Sequence, residues 1–492
     1  MIIWGVTALG HDGSISVIKD NEIVFAAHSE RYSRIKNDAY LNQEIVDEAL
    51  SFGDPDEIVW YEKPFLKKTR QAAAGQWNQV FGKDTLPRKH LKQFLKKIPP
   101  IKSVLHHHAH ASAGAMTSPY DEALVVVLDA IGEWNCCTTW SWKNKQLKLI
   151  DKKNYPHSFG LFYSAFTQRC GLKPNEEEYI MMGMAAYGKP KYKDIIINDF
   201  INFDTLDFKQ NLHAGISDNY LKGADHMDIA ASVQEIANEF VTEYISRSVL
   251  ETGHNNLVYM GGVALNCVTN TKLFEICENI WIMPNPGDAG NSLGAALARN
   301  MEHNKITVPW EGPFLGTEIK GKYPVEEIIK ELETNKICGV ANGRAEFGPR
   351  ALGNRSLLAD PRGPEIKDKV NEIKRRQKFR PFAPAILEEH LHTYFDLPTN
   401  KSPYMQFVAV AREKTMSKFP AIVHADGTAR VQSVSRDDNT GFRELLEKFY
   451  EKTGCPMLLN TSLNIRGEPL VNNEQDAKAF EEKYNVKVFT GE

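Results

Sequence analysis

No run of about 18 apolar residues occurs anywhere in the chain, so no membrane-spanning helix is expected. The opening residues, MIIWGVTALGHDG, lack a basic leader and a cleavable apolar core, so no secretory signal is expected. No CxxC pair is present. The seven cysteines (136, 137, 170, 267, 277, 338 and 455) are scattered, which argues against a disulfide frame or a cysteine-bound zinc and fits reduced thiols in a cytoplasm. A formal net charge of −4 gives no general attraction to nucleic acid or to an anionic membrane. No short-period repeat is found, so a solenoid is not expected. What remains is an ordinary globular composition over 492 residues, room for two to four domains at roughly 150 residues each.

The first 30 residues read as strand, turn, strand, turn, strand: IIWGVTAL, the glycine turn GHDGS, ISVI, the polar turn KDNE, then IVFAAHSE. Such a meander with an early glycine turn is how ATP-binding domains of the actin and sugar-kinase type begin. A second opening of this kind follows at 123–142, with ALVVVL, DAIGEWN and CCTTWSW, which predicts a duplicated α/β core. Helical periodicity covers 228–251 and 290–302. Residues 303–322 are punctuated by proline and glycine and read as an inter-domain linker. An amphipathic helix at 325–335 and a strand into a glycine turn at 337–343 then open a second domain, with mixed strands and helices near 404–412, 440–452 and 455–460. The segment 190–228 reads as polar, aromatic-containing and irregular.

The stretches 343–362 (GRAEFGPRALGNRSLLADPR) and 371–387 (NEIKRRQKFRPFAPAIL) set Arg350, Arg355, Arg362, Lys374, Arg375, Arg376, Lys378 and Arg380 among glycines, prolines and apolar residues. A solvated basic helix would not be laced with FGP, ALG and RPFAPA. The pattern points to a pocket for a multiply charged anion, matched by the planar forks of arginine. A basic surface touching nucleic acid is the alternative, and the charge of the rest of the chain disfavours it.

In HHHAHASAGA (106–115), His106 and His110 are four apart and share one face of a helix, where they can grip one metal; His107 and His108 point elsewhere. A histidine-rich surface turn is the plainer reading. Asp129 closes the buried strand ALVVVL, where a charge needs a reason, and Asp288 lies in the glycine loop PNPGDAGNSLG. Either could equally be a turn or cap residue. MGGVALN (260–266) and GDAGNSLG (287–294) are glycine loops that feed helices and offer converging N–H groups, so adenine and ribose are expected near Gly261, Gly262, Asn266 and Asn291. For each glycine, a tight turn is the alternative. His11, beside Asp12 in the first glycine turn, is a candidate to take or hold a proton.

FGPRALGNRS, LADPR, RPFAP, HADGTARVQ (424–432) and LLNTSLNIRGEPLV (458–471) resemble the carboxyl-terminal half of the O-carbamoyltransferases, the family of nodulation and antibiotic-tailoring enzymes. GHDGS, the histidine segment and EEYIMMGMAAYGKP (177–190) extend the resemblance over nearly the whole chain, although Tyr179-Ile180 stand where the family carries glycine-lysine. The resemblance implies an α/β architecture in two parts. Residues 1–312 would form a duplicated actin/sugar-kinase-like (ASKHA) transfer domain, and 313–492 a YrdC-like α/β domain that makes carbamoyl adenylate from carbamoyl phosphate and ATP.

It further implies metal ligation by His106, His110, Asp129 and Asp288, with Fe2+ the first choice among divalent transition metals. His11 and Lys36 would act at the transfer site, His11 by deprotonating an acceptor hydroxyl or holding the carbamoyl oxygen. Arg350, Lys374, Arg380, Arg430 and Arg466 would neutralise phosphates, with Mg2+ bridging those of ATP. Asn460, Ser462 and Asn464 would offer uncharged contacts. The expected acceptor is a hydroxyl-bearing small molecule. A nucleic-acid acceptor and a non-catalytic nucleotide-binding scaffold are the alternatives, and a homodimer is left open.

Overall fold

The structure is a computed structural model that describes residues 1–82, 86–380, 382–438 and 440–491. It is mixed α/β throughout. The chain divides into two compact units. One joins Met1–Ser29 to Asn37–Glu311; the other joins Glu30–Lys36 to Gly312–Glu492.

The first unit is built on two five-stranded sheets. Strands β1 (Ile2–Thr7), β2 (Ser14–Lys19), β3 (Glu22–His28), β4 (Glu57–Trp60) and β5 (Ile101–Ser103) form one sheet in the order 3-2-1-4-5. Strands β6 (Ala123–Leu128), β7 (Asn135–Lys143) and β8 (Gln146–Asn154) begin the second. After a small hairpin of β9 (Ile201–Asn202) and β10 (Asp207–Phe208), that sheet is completed by β11 (Asn256–Met260) and β12 (Asn279–Trp281), in the order 8-7-6-11-12. In each sheet the first three strands are an antiparallel meander and the last two are parallel additions on the other side of the first strand. The identical order and sense show the duplicated core. The founding strands β1 and β6 are almost wholly buried, which their apolar runs dictate, because a central strand covered on both faces has no polar side to alternate with.

The expected helices at 228–251 and 290–302 are present as His226–Thr252 and Asn291–Asn304. Asp225 caps the first by accepting from the Met227 N–H. The segment 190–228 is more regular than its composition suggested: it holds the helix Lys193–Phe200 and the β9–β10 hairpin, pinned by Ile196, Phe200 and Phe208 in the core.

The second unit contains β13 (Phe314–Ile319), β14 (Ile337–Ala341), β15 (Gly343–Glu346), β16 (Arg355–Ala359), β17 (Ala383–Leu387), β18 (Phe395–Asp396), β19 (Val408–Ala411), β20 (Thr428–Arg430), β21 (Gln432–Val434), β22 (Met457–Ser462) and β23 (Val488–Phe489). Six of them make a mixed sheet in the order 21-17-22-16-14-23, β13 pairs with β15, and β18, β19 and β20 form a small sheet. Helices Val325–Thr334 and Thr440–Thr453 flank the unit close to the expected bounds. Two expectations change. The supposed linker at 303–322 contributes β13, and Glu30–Lys36 belongs here. Arg31 donates to Gly348 O at 2.8 Å, Arg34 to Pro469 O at 3.0 Å, and Tyr32 meets the Thr317 hydroxyl at 3.0 Å. Contacts across more than 280 residues of sequence leave no local signature, so the 1–312 and 313–492 division overlooked them.

Candidate functional site

The helix His106–Thr117 follows the last strand of the first sheet, and Asn291–Asn304 follows the last strand of the second, so the two are duplicates of one position. They pack in close contact because residue 294 is glycine: a Cβ there would lie 1.9 Å from Ala109 O. This approach sets Asp288, at the entrance of one helix, against His106 and His110 on the other. Asp129 arrives from the end of β6. Beside it Gly261, at φ 94°, passes Leu128 O so closely that a Cβ would sit at 2.1 Å, and the Gly261 N–H donates to Pro286 O at 2.9 Å, tying the two glycine loops together.

The result is one cluster. His106 Nε2 lies 3.1 Å from Asp129 Oδ2 and 3.4 Å from Asp288 Oδ1; His110 Nε2 lies 3.6 and 3.4 Å from the same atoms, and the two ring nitrogens are 3.2 Å apart. All four ligand atoms fall within 4.8 Å of one another. Bonds of about 2.1 Å to a tetrahedral ion place ligand atoms about 3.4 Å apart, so the residues fit a transition-metal ion. The second oxygen of Asp129 accepts the Gly262 N–H at 3.1 Å, which fixes the carboxylate's rotation.

Electrostatics agree with a cation site. Burial opposes charge on both imidazoles, yet the charge of Asp288 and bonds to Asp129 and Asp288 outweigh it and raise His106 well above its usual pKa; His110 is raised by its bonds to the same two carboxylates. Burial likewise opposes charge on Asp129, and its bonds to the two histidines overcome this and hold it well below the usual range; Asp288 also is lowered, chiefly by His106. His107 turns away to Thr138 Oγ1 at 3.0 Å and His108 lies against Trp140, both with pKa depressed by burial.

Glu133 carried no sequence signal and has a structural part here. Its buried carboxylate accepts the His106 N–H at 3.1 Å and the Lys63 N–H at 2.7 Å, capping the histidine helix, which has no side-chain cap of its own. His11 bonds through Nδ1 to Asp12 Oδ2 at 2.7 Å; burial opposes its charge, but Asp12 raises its pKa to about 9. Asn291 is fully buried and its amide has no partner among the described residues. Asn266, expected against a nucleotide, is committed otherwise: it caps the helix Cys267–Lys272 and pairs with Gln234 at 3.0 and 3.2 Å. A capping asparagine and a ligand contact look alike in sequence.

In the second unit, Lys374 is the buried centre of a different cluster. Its Nζ donates to Ser462 O at 2.5 Å, Ser462 Oγ at 3.0 Å and Asn464 Oδ1 at 2.7 Å. Burial, then the charges of Arg376, Arg380 and Lys36, push its pKa well down. Lys36 belongs to the second unit, and its own Nζ binds Glu30 at 2.9 and 3.0 Å. Arg350 rides on a turn folded by Glu346, whose Oε1 accepts the N–H groups of Leu352, Asn354 and Arg355. Arg430 has a buried Nε without an acceptor among the described residues. Arg466 donates its backbone N–H to Lys374 O at 3.0 Å while its side chain is exposed. Pro381 of the RPFAP motif lies outside the described residues.

The basic stretch is not one pocket. Arg355 is fully buried on the carbonyls of Thr317, Asn342, Gly343, Asn354 and Asn472; Arg362 is paired with Asp360, and Arg375 lies over the Tyr484 ring.

Among the described residues no helix is long and apolar enough to cross a membrane. Family models described as Carbamoyltransferase N-terminus and Carbamoyltransferase C-terminus match residues 2–297 and 329–490. An uncharacterized protein of Synechocystis sp. is 34% identical, with 96% of this chain and 93% of the relative covered. The nodulation protein NolNO of Sinorhizobium fredii is 30% identical, covering 95% and 76%. Among solved structures, component A of (R)-2-hydroxyglutaryl-CoA dehydratase from Acidaminococcus fermentans is matched over 61% of this chain and 97% of its own, at 14% identity and a TM-score of 0.36. With family models matching residues 2–297 and 329–490 and relatives aligned over 95% or more of this chain, the chain belongs to the carbamoyltransferase family and is a carbamoyltransferase.

Proposed function

We propose that the chain is an ATP-dependent O-carbamoyltransferase working in two steps. In the second unit, carbamoyl phosphate and ATP give carbamoyl adenylate with release of pyrophosphate. In the first, the carbamoyl group passes to an acceptor hydroxyl. The observation that carries this reading is the contrast of charge: a cation-shaped nest of two histidines and two aspartates in one unit, and a buried lysine crowded by other cations in the other.

Lys374 is unfavourable as the protein stands and gains most from phosphate oxygens, which makes it the central anion contact, with Arg350 and Arg380 as partners and Ser462 and Asn464 holding its ammonium group in place. Arg430 and Arg466 are assigned to the same phosphates, and Mg2+ would accompany the phosphates of ATP. In the transfer step the sugar and base of the carbamoyl adenylate are assigned to the first unit's loops at Gly261, Gly262 and Asn291. A divalent transition metal, Fe2+ by family resemblance, would be held by His106, His110, Asp129 and Asp288 and would act as a Lewis acid on the carbonyl. His11, with a pKa near 9, is an imidazolium at neutral pH and donates; it is assigned to hold the carbamoyl oxygen and not to take the acceptor's proton.

The test is pyrophosphate release. It is expected only when carbamoyl phosphate and ATP are supplied together, and equal release from ATP alone would refute the adenylate step.

A further inference from the structure

Arg70 stands outside every group described so far. It lies on the helix Pro64–Ala73 and is 6% exposed, and its Nε and Nη1 are enclosed with no acceptor among the described residues. Enclosing an ionised guanidinium without an anion is costly, and removing it from water is compensated only by charge or hydrogen bonds of matching geometry. Glu62, whose charge reaches it, is already bound to Lys67 at 2.9 Å. The Cys136 thiol nearby is kept neutral by its own burial.

What Arg70 has beside it is aromatic and polar. Its guanidinium carbon is 5.9 Å from the centroid of Tyr155. The Tyr155 hydroxyl accepts from Asn211 Nδ2 at 2.5 Å, and its ring meets the exposed His213 edge-on at 5.8 Å. Planar cations that stack on aromatics and keep free N–H forks are suited to carboxylate or phosphate.

The position ties this group to the histidine–aspartate cluster. Trp134 Nε1 donates to Thr69 Oγ1 at 3.1 Å, and the Tyr155 N–H donates to Trp134 O at 2.8 Å. The adjoining Glu133 holds the N–H groups of both Lys63 and His106. The loop between Asp129 and Asn135 therefore carries a metal ligand at one end and contacts the surroundings of Arg70 at the other.

We propose that Arg70, with Tyr155, Asn211 and His213 beside it, recognises a carboxylate or phosphate-ester group on the hydroxyl-bearing acceptor. This rests on the transfer reading above and narrows its acceptor to an anionic class. Hydrogen exchange of the 64–73 peptide in the full chain reads the site locally. Glucuronate and glucose 6-phosphate are expected to slow exchange there saturably, and glucose is not. Arg70→Gln is expected to weaken that response about tenfold or more, the worth of one charge-assisted contact.

Carbamoyl phosphate is the donor arm of the test: protection by it, with none from the two sugar acids, would move the anion from acceptor to donor and overturn the assignment. Absence of protection in the wild type, or an undiminished response in Arg70→Gln, would overturn it as well. Arg70→Met is expected to keep or raise the Tm, because it removes an uncompensated charge. A fall of more than about 5 °C would give the guanidinium a structural role and end the proposal. Wild-type pyrophosphate release separates the two readings: its absence defeats the adenylate step and leaves the binding measurement to decide on Arg70.

Discussion

The two clusters solve opposite problems. In the first unit two imidazoles stand against two carboxylates at 3.1 to 3.6 Å, so opposite charges face one another at the proposed metal site. In the second, Lys374 is buried among cations with only neutral oxygens on its ammonium group, and balance must come from outside. A self-balanced cluster folds without its ligand, whereas a like-charged one stays unfavourable until an anion arrives. The difference teaches where to look for each proposed partner: opposite charges in contact suit a cation, and a buried cation within reach of other cations suits an anion.

The sharpest way to break the comparison is to remove one member of each. His110→Ala is expected to abolish bound metal, read by elemental analysis, and to lower carbamoyl transfer by about a hundredfold or more, while pyrophosphate release continues. Lys374→Ala is expected to do the reverse, cutting pyrophosphate release by about 10² to 10³ with metal content intact. If either variant loses both properties together, the division of labour fails.

Gly294→Ala should act through geometry alone. The added Cβ meets Ala109 O and forces the two helices apart, so a loss of about 1–3 kcal/mol in unfolding free energy is expected together with weaker metal retention. Glu133→Gln keeps the shape and weakens the cap on the histidine helix; denaturant unfolding should show about 1 kcal/mol.

The smallest effect is a slope. Because the folded pKa of His11 is raised to about 9 from 6.5, its contribution to stability is complete below about 6.5 and lost as pH rises through 9. His11→Ala is therefore expected to flatten the stability profile between those values, and an unchanged slope would show that the His11–Asp12 pair is not formed in solution.

Several features were legible in the residues themselves. The buried runs ALVVVL and IIWGVT announce central strands, and the spacing of His106 and His110 places two rings on one helical face. Other features were illegible for physical reasons. Arg355 and Lys374 look alike in a basic stretch, yet one is spent on backbone carbonyls and the other is held by two oxygens of Ser462 and one of Asn464. Asn266 has the composition of a ligand contact and the geometry of a cap. Glu133 sits in an unremarkable turn, and only the folded chain brings it to the start of a helix 27 residues away.

The sequence by itself determined the duplicated α/β core and the family, and it singled out the residues proposed to bind a metal or a phosphate, because these depend on local periodicity and on side-chain chemistry. Tertiary structure alone decided that Asp129 and Asp288 meet the two histidines, that Glu30–Lys36 leaves the unit it is threaded through, and that Arg70 is enclosed without a counter-charge. Each of those outcomes is set by packing between segments far apart in the chain, where glycine contacts and buried charge, and not local propensity, fix the distances.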